Sequence, residues 1–236
     1  MKQVLKFGRK FINVILKKCN IVVCSTMVVL DKKRQTFVFE SDYIRASSLE
    51  LIANEIYDKN IDGSVAELGV YRGDFAKIIN RAFPNRKLYL FDTFEGFNEM
   101  DVKEELKKSY STGKQNFSKT DVELVLNKMK NIENCIVKKG YFPETTVGIT
   151  DKFAFVSIDV DLYEPTYKGL NYFYENLSNG GYIMIHDYNN KEYMGVKSAL
   201  RQFSEEKNIA YFPLCDRCGS ALVMKPILTK NYTKNE

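Results

Sequence analysis

Two aspartates, Asp159 and Asp161, stand two positions apart directly after the apolar run Phe153–Ile158, and Asp187 follows a second apolar run at 182–185. Side chains two apart on extended backbone lean to the same side, and neighbouring strands lie about 4.8 Å apart. If the two runs are adjacent strands, three carboxylates crowd one rim. A divalent cation is the natural relief of their repulsion. Such an ion, beside a carboxylate that takes a proton, is what a weakly nucleophilic hydroxyl needs. The competing use of these acids is helix capping and surface solvation. His186, the chain's only histidine, directly precedes Asp187. Imidazole is a poor magnesium ligand and an acceptable one for manganese or iron, so His186 either shifts metal preference or only donates a hydrogen bond. Asn189 is a further candidate oxygen donor.

A second constellation lies earlier. In Glu67-Leu68-Gly69-Val70-Tyr71-Arg72-Gly73 an acid enters a loop with glycines at 69 and 73. Glycines at a strand-to-helix turn let backbone approach a ligand closely. The spacing misses the G-x-G-x-x-G dinucleotide fingerprint and the P-loop. An acid at the loop entrance suits an ammonium or sulfonium ligand better than a pyrophosphate. Asp92 closes the next apolar run, where a carboxylate can accept from a ribose diol. Acid, glycine loop and acid together leave open another kind of nucleotide site or a structural turn.

Longer stretches are more specific. Phe91-Asp92-Thr93-Phe94-Glu95-Gly96-Phe97, Gly140-Tyr141-Phe142-Pro143-Glu144-Thr145 and Asp159-Val160-Asp161-Leu162-Tyr163-Glu164-Pro165-Thr166 follow the glycine loop in order, then Gly180-Gly181-Tyr182-Ile183, His186-Asp187-Tyr188 and Gly195-Val196. Over roughly residues 40–225 this series resembles the macrocin O-methyltransferase (TylF-like) family of class I S-adenosylmethionine-dependent methyltransferases. The resemblance implies a Rossmann-like α/β fold with a mainly parallel seven-stranded sheet and helices on both faces. It implies S-adenosylmethionine held by Glu67, Gly69, Tyr71, Gly73, Asp92, Thr93, Phe94, Gly140 and Asp159. It carries metal binding, by Mg2+ or alternatively Mn2+, onto Asp159 and Asp187, with His186 where many relatives are expected to have aspartate. Asp161 becomes the general base or a substrate orienter, acting with Asp159. The acceptor class implied is a sugar hydroxyl of a natural product or surface glycan. The His186 departure also allows a non-catalytic cofactor-binding or scaffold protein. An NAD-linked oxidoreductase fits a parallel sheet but not the glycine spacing.

The elements that must position these groups can be read from the same pattern. Apolar runs at 64–70, 87–91, 135–138, 153–158 and 182–185 read as strands. Helical spacing at 75–82, 121–129, 165–177 and 195–206 alternates with them, and 210–213 and 221–225 add two strands. The stretch up to about Thr120 is polar and is assigned no element, Asp121 offers an N-cap, and Gly180-Gly181 end the helix before them. Alternation of this kind means a mainly parallel sheet, whose ligands gather outside the carboxyl ends of the strands. Tyr71, Phe94, Phe97, Tyr141, Phe142 and Tyr163 are candidate sugar or adenine contacts, although each alone is more often core.

At 236 residues, with 44% hydrophobic and 13% aromatic side chains, the chain can bury one sizeable core. The expected organisation is a basic, apolar and helical extension over 1–40, a methyltransferase domain over 41–226 and a polar tail over 227–236. The net charge of +5 is scattered rather than clustered, which argues against nucleic acid. Five cysteines at irregular spacing do not form a secreted disulfide framework, so a reducing cytoplasm is expected. Cys215 and Cys218 make one C-x-x-C without a second half, and read as ordinary thiols. The apolar run 21–30 is too short to span a bilayer. Packing of the extension on the core is the plain expectation, with weak peripheral membrane contact or a homodimer contact as alternatives.

Overall fold

The computed structural model describes residues 42–227, together with Ile12 and Leu16, which are helical. Apart from those two positions, the extension, with Cys19 and Cys24 of the five cysteines, and the tail beyond 227 lie outside the described residues. The elements run α1 (Tyr43–Asp58), β1 (Ser64–Leu68), α2 (Ala76–Ala82), β2 (Leu88–Asp92), α3 (Glu99–Lys107), α4 (Val122–Leu126), β3 (Cys135–Lys139), β4 (Phe153–Ile158), α5 (Tyr163–Asn176), β5 (Leu177–Ile185), α6 (Met194–Lys207), β6 (Tyr211–Pro213) and β7 (Ala221–Met224).

The seven strands form one sheet in the order β3-β2-β1-β4-β5-β7-β6. The first five are parallel, and β7 pairs antiparallel with both β5 and β6. This is the mainly parallel, seven-stranded α/β architecture expected from the sequence. Successive residues of each strand feed opposite layers, as pleating requires. Val65, Leu88, Leu90, Phe155 and Met184 join Leu49, Ile52 and Ile56 of α1, Ile78 and Ile79 of α2 and Val125 of α4. Ala66, Tyr89, Phe91, Val156 and Ile183 join Leu170 and Phe173 of α5 and Val196, Leu200 and Phe203 of α6. Burial on both faces is why these strands read as unbroken apolar runs.

Three elements depart from the sequence reading. Helix α1 precedes the regular pattern that begins at Ser64. Asp42 caps it, accepting from the Ile44 and Arg45 amides at 2.9 and 3.2 Å, and its buried side is Arg45, Ala46, Leu49, Ile52, Ala53 and Ile56. Helix α3 lies inside the polar stretch to which the sequence pattern assigns no element; its buried residues are Asp101 and Glu105, so no apolar stripe announces it. The glycine pair does not end a helix but belongs to β5, which starts at Leu177. Between the pairs Phe153↔Leu177 and Phe155↔Tyr182 the register shifts, and a Cβ on Gly181 would stand 3.0 Å from the Ala154 carbonyl oxygen.

Candidate functional site

The carboxyl ends of β1 to β5 open on a cavity of ≈ 450 Å³. Its floor is set by how closely β1 and β4 approach. Gly69 has φ +87°, and a Cβ there would lie 2.0 Å from the Asp159 carbonyl oxygen. Only glycine fits. The Asp92 carboxylate holds the loop that follows: one oxygen accepts from the Val70 and Tyr71 amides at 2.8 and 2.7 Å, the other from Phe94 at 2.7 Å. Asp92 thus builds the glycine loop while remaining on the cavity wall. Thr93 accepts from the Glu95 amide and donates to the Gly96 carbonyl at 2.7 Å, forming the next turn.

Of the residues expected to hold the cofactor, Glu67, Gly69, Tyr71, Asp92, Thr93, Gly140 and Asp159 line the cavity. Gly73 and Phe94 do not. Gly73, at φ +75°, faces Val125 and Met129, where a side chain would collide with α4. Phe94 is buried in the apolar layer and serves through its backbone amide. Among the candidate aromatic contacts Phe97, Tyr141 and Phe142 are on the wall. Tyr163 is instead buried beside Tyr110, Tyr167 and the Lys108 ammonium.

Strands β4 and β5 are neighbours, with Ile158 opposite Ile185, so the acids that follow them converge. A carboxylate oxygen from each of Asp159, Asp161 and Asp187 lies within 4.8 Å of the others. Asp161 and Asp187 reach this position from left-handed backbone, at φ 61° and 57°. His186 Nδ1 sits 3.0 Å from Asp159 and 2.8 Å from Asp187. Arg45 donates to the other Asp159 oxygen at 3.0 Å and to Ser157 Oγ at 3.2 Å, its guanidinium stacked 3.7 Å from the Phe75 ring. Asn189 is turned away, accepting from Lys197 at 2.8 Å; Asn190 is the residue that reaches Asp187, at 2.7 Å.

These contacts divide the acids electrostatically. Burial pushes Asp159 up, but Arg45 and His186 outweigh it and hold the carboxyl well below the usual range. Burial, then the facing Asp159 and Asp187, push Asp161 well above it. Burial alone dominates at Glu67, which is also raised well above its ordinary value and has an orphaned Oε2. Burial lowers His186, yet Asp159 more than offsets that and the ring is raised to about 9. The oxygen donors of Asp159, Asp161 and Asp187 are of the type a hard divalent ion takes. His186 Nδ1, between two carboxylates, is a hydrogen-bond donor, which leaves Nε2 as the ring nitrogen that would meet a metal.

The wall also holds Arg45, Phe117, Asn190 and Tyr193, which the sequence reading did not single out, and Cys218, which it read as an ordinary thiol. Cys218 Sγ lies within 4.8 Å of ligand atoms of His186 and Asp187. Burial, then Asp187, raise this thiol to about 11. Phe117 packs edge-on to Tyr71 and Phe97, at 5.1 and 5.0 Å between ring centres, which brings the loop before α4 over the cavity.

Residues 41–232 match the profile of the macrocin-O-methyltransferase (TylF) family. The chain belongs to that family. Two curated relatives of this TylF-family chain are the 8-demethyl-8-(2,3-dimethoxy-alpha-L-rhamnosyl)-tetracenomycin-C 4'-O-methyltransferase of Streptomyces olivaceus and the demethyldecarbamoylnovobiocin O-methyltransferase of Streptomyces niveus. Each is 26% identical, over 61% of this chain and 60% of the relative. The matched part thus spans about three-fifths of the length of each relative. Among solved structures, the O-methyltransferase NovP superposes with a TM-score of 0.62 at 21% identity, covering 78% of this chain and 80% of that one. The calicheamicin methyltransferase CalS11 gives 0.60 at 19%, covering 76% and 78%. These likenesses show that the TylF-family chain has the class I methyltransferase fold.

Proposed function

We propose that this chain moves a methyl group from S-adenosylmethionine to a hydroxyl of a sugar carried by a glycosylated small molecule or glycan, with a divalent ion at the acidic rim. The observation that carries the reading is the convergence of Glu67, Asp92, Asp159, Asp161 and Asp187 on one cavity beside a glycine loop. A cationic cofactor suits that charge. Glu67, with an oxygen lacking any partner, offers a buried acceptor to an ammonium group. Asp92 accepts three amides in shaping the loop and keeps an acceptor site, on the oxygen that holds only Phe94, for a ribose hydroxyl. The sugar acceptor follows the name of the Streptomyces olivaceus relative, which acts on a rhamnosyl-tetracenomycin.

A divalent ion, when bound, would lower the pKa of the acceptor hydroxyl. Asp159 and Asp187 would hold it, with His186 beside them. Asp161, whose carboxylate faces Asp159 and Asp187 across the rim, would be the group placed to take the proton. The hydroxyl oxygen then forms its bond to the methyl carbon, the S–C bond breaks, and its electron pair stays on sulfur. Alignment is what the rigid strand ends contribute.

The test is incubation with methyl-labelled S-adenosylmethionine and a panel of nucleotide sugars and glycosylated natural products, with and without EDTA. Label is expected in the sugar of one class, suppressed by chelator and restored by added Mg2+ or Mn2+. Undiminished transfer in excess EDTA would remove the metal. Cofactor binding without transfer to any member of the panel would favour the scaffold alternative.

A further inference from the structure

The acidic rim has a second side. Asp187 belongs to two overlapping groups of ligand atoms, one completed by Asp159 and Asp161 and the other by His186 and Cys218, each within 4.8 Å. The first is all oxygen and suits Mg2+ or Mn2+; the second offers oxygen, nitrogen and sulfur, the donors of zinc and its neighbours.

Cys218 is not a stray surface thiol. It is free, half-buried and on the cavity wall. Its turn is tied on several sides: the buried Asp216 carboxylate accepts from the Ser220 amide and hydroxyl, and Gly219 N donates to the Asp216 carbonyl at 3.1 Å. The Gly219 carbonyl in turn accepts from the Asn189 amide at 3.0 Å, which fixes the turn against the residues that follow β5. Gly219 has φ +70°, and a Cβ there would stand 2.6 Å from Asn189 Cβ, so the approach that delivers Cys218 to Asp187 needs this glycine. Cys215, the other half of the pair, is exposed and belongs to neither group.

We infer that His186, Asp187 and Cys218 form a mixed-donor site that binds a borderline transition-metal ion of the Zn2+, Co2+ or Fe2+ class through the Cys218 thiolate. On binding, the thiol proton leaves to solvent and a metal–sulfur bond forms, with no change in oxidation state. The inference rests on the proposed presence of an ion beside the methyl-transfer cavity and names the kind of ion and three of its ligands.

The test is titration of the full chain with Co2+ alone, followed by absorption, with Mg2+ and Zn2+ titrated separately by calorimetry. An ultraviolet sulfur-to-cobalt charge-transfer band is expected in the wild type. It should vanish in Cys218→Ser and survive in Cys215→Ser, while Zn2+ affinity in Cys218→Ser falls at least about tenfold, since losing even an outer partner costs that much. Changing His186→Asp should turn the preference from Zn2+ toward Mg2+. Co2+ bound by the wild type without the charge-transfer band overturns the inference and leaves the oxygen-ligated reading standing. No ion bound at all overturns both. A band that persists in folded Cys218→Ser comes from another of the five cysteines and overturns the inference as well, while absence of the band in the wild type does so without any variant.

Discussion

At the scale of single residues, the site depends on positions where one atom more or fewer cannot be absorbed. Changing Gly69→Ala would place a Cβ 2.0 Å from the Asp159 carbonyl in a left-handed conformation. We expect a loss of about 4 kcal/mol and a Tm lower by roughly 10 °C, together with loss of cofactor binding. Gly148→Ala is the control, since Gly148 shares a positive φ of 79° but has nothing within 4 Å. It should cost only about 1 kcal/mol, and equal losses in the two variants would refute the clash. For Asp92→Ala, three amide bonds disappear at once. Stability should fall by about 3 kcal/mol and cofactor affinity by at least about tenfold. Asp92→Asn, retaining one acceptor oxygen, should lie between; calorimetry at a temperature where all three are folded separates affinity from unfolding. The acids were legible in the sequence because each follows an apolar run that had to be a strand. Arg45 was not: it meets Asp159 across 114 positions, from a helix whose own pattern says nothing about a cavity.

At the scale of elements, the strands were legible because sheets buried on both faces need apolar residues at every position. The helices α2, α5 and α6 were legible by their spacing. What escaped is an element held by charge. Helix α3 buries Glu105, which accepts from the amide of Tyr163, the first residue of α5, and lies against Gly195 at the start of α6, where a Cβ would come within 2.4 Å of its carboxylate. A carboxylate at helix N-termini meets unsatisfied amides and the positive end of the dipole. Asp101 of the same helix accepts from Tyr141 at 2.8 Å, and Tyr141 in turn accepts from Lys168 at 3.0 Å. These polar anchors dock the segment over the cavity, which no hydrophobic periodicity reports. Glu105→Ala should therefore release α3 locally. Hydrogen exchange across 99–120 should speed by about ten- to a hundredfold, corresponding to roughly 2 kcal/mol, while amides of β1 and β4 keep their protection. Uniform loss of protection would instead mean that Glu105 stabilises the whole domain.

At the scale of the molecule, a chain of net charge +5 encloses a cavity whose wall is acidic. The sheet makes this unavoidable: parallel strands put their carboxyl ends at one edge, and this sequence ends β1, β2, β4 and β5 with acids at or beside that edge. Glu67 is the most exposed to the consequence, because burial denies its carboxylate water and Oε2 has no partner. The sign of its effect on stability follows from linkage. A carboxyl whose folded pKa lies above its ordinary value of 4.5 binds more protons in the native state, so its contribution is complete below pH 4.5 and is lost as pH rises through the folded value. Urea midpoints of the ligand-free protein, measured from pH 5 to 8 for wild type and Glu67→Gln, should therefore diverge, the variant gaining relative to the wild type as pH increases. S-adenosylmethionine should narrow that divergence by giving the ionised Glu67 a cationic partner, and Glu67→Gln should bind it about ten- to a hundredfold more weakly, the worth of one charged hydrogen bond. A pH-independent gap between the two proteins would show that Glu67 is already satisfied, and would count against it as the acceptor proposed for the cofactor's ammonium group.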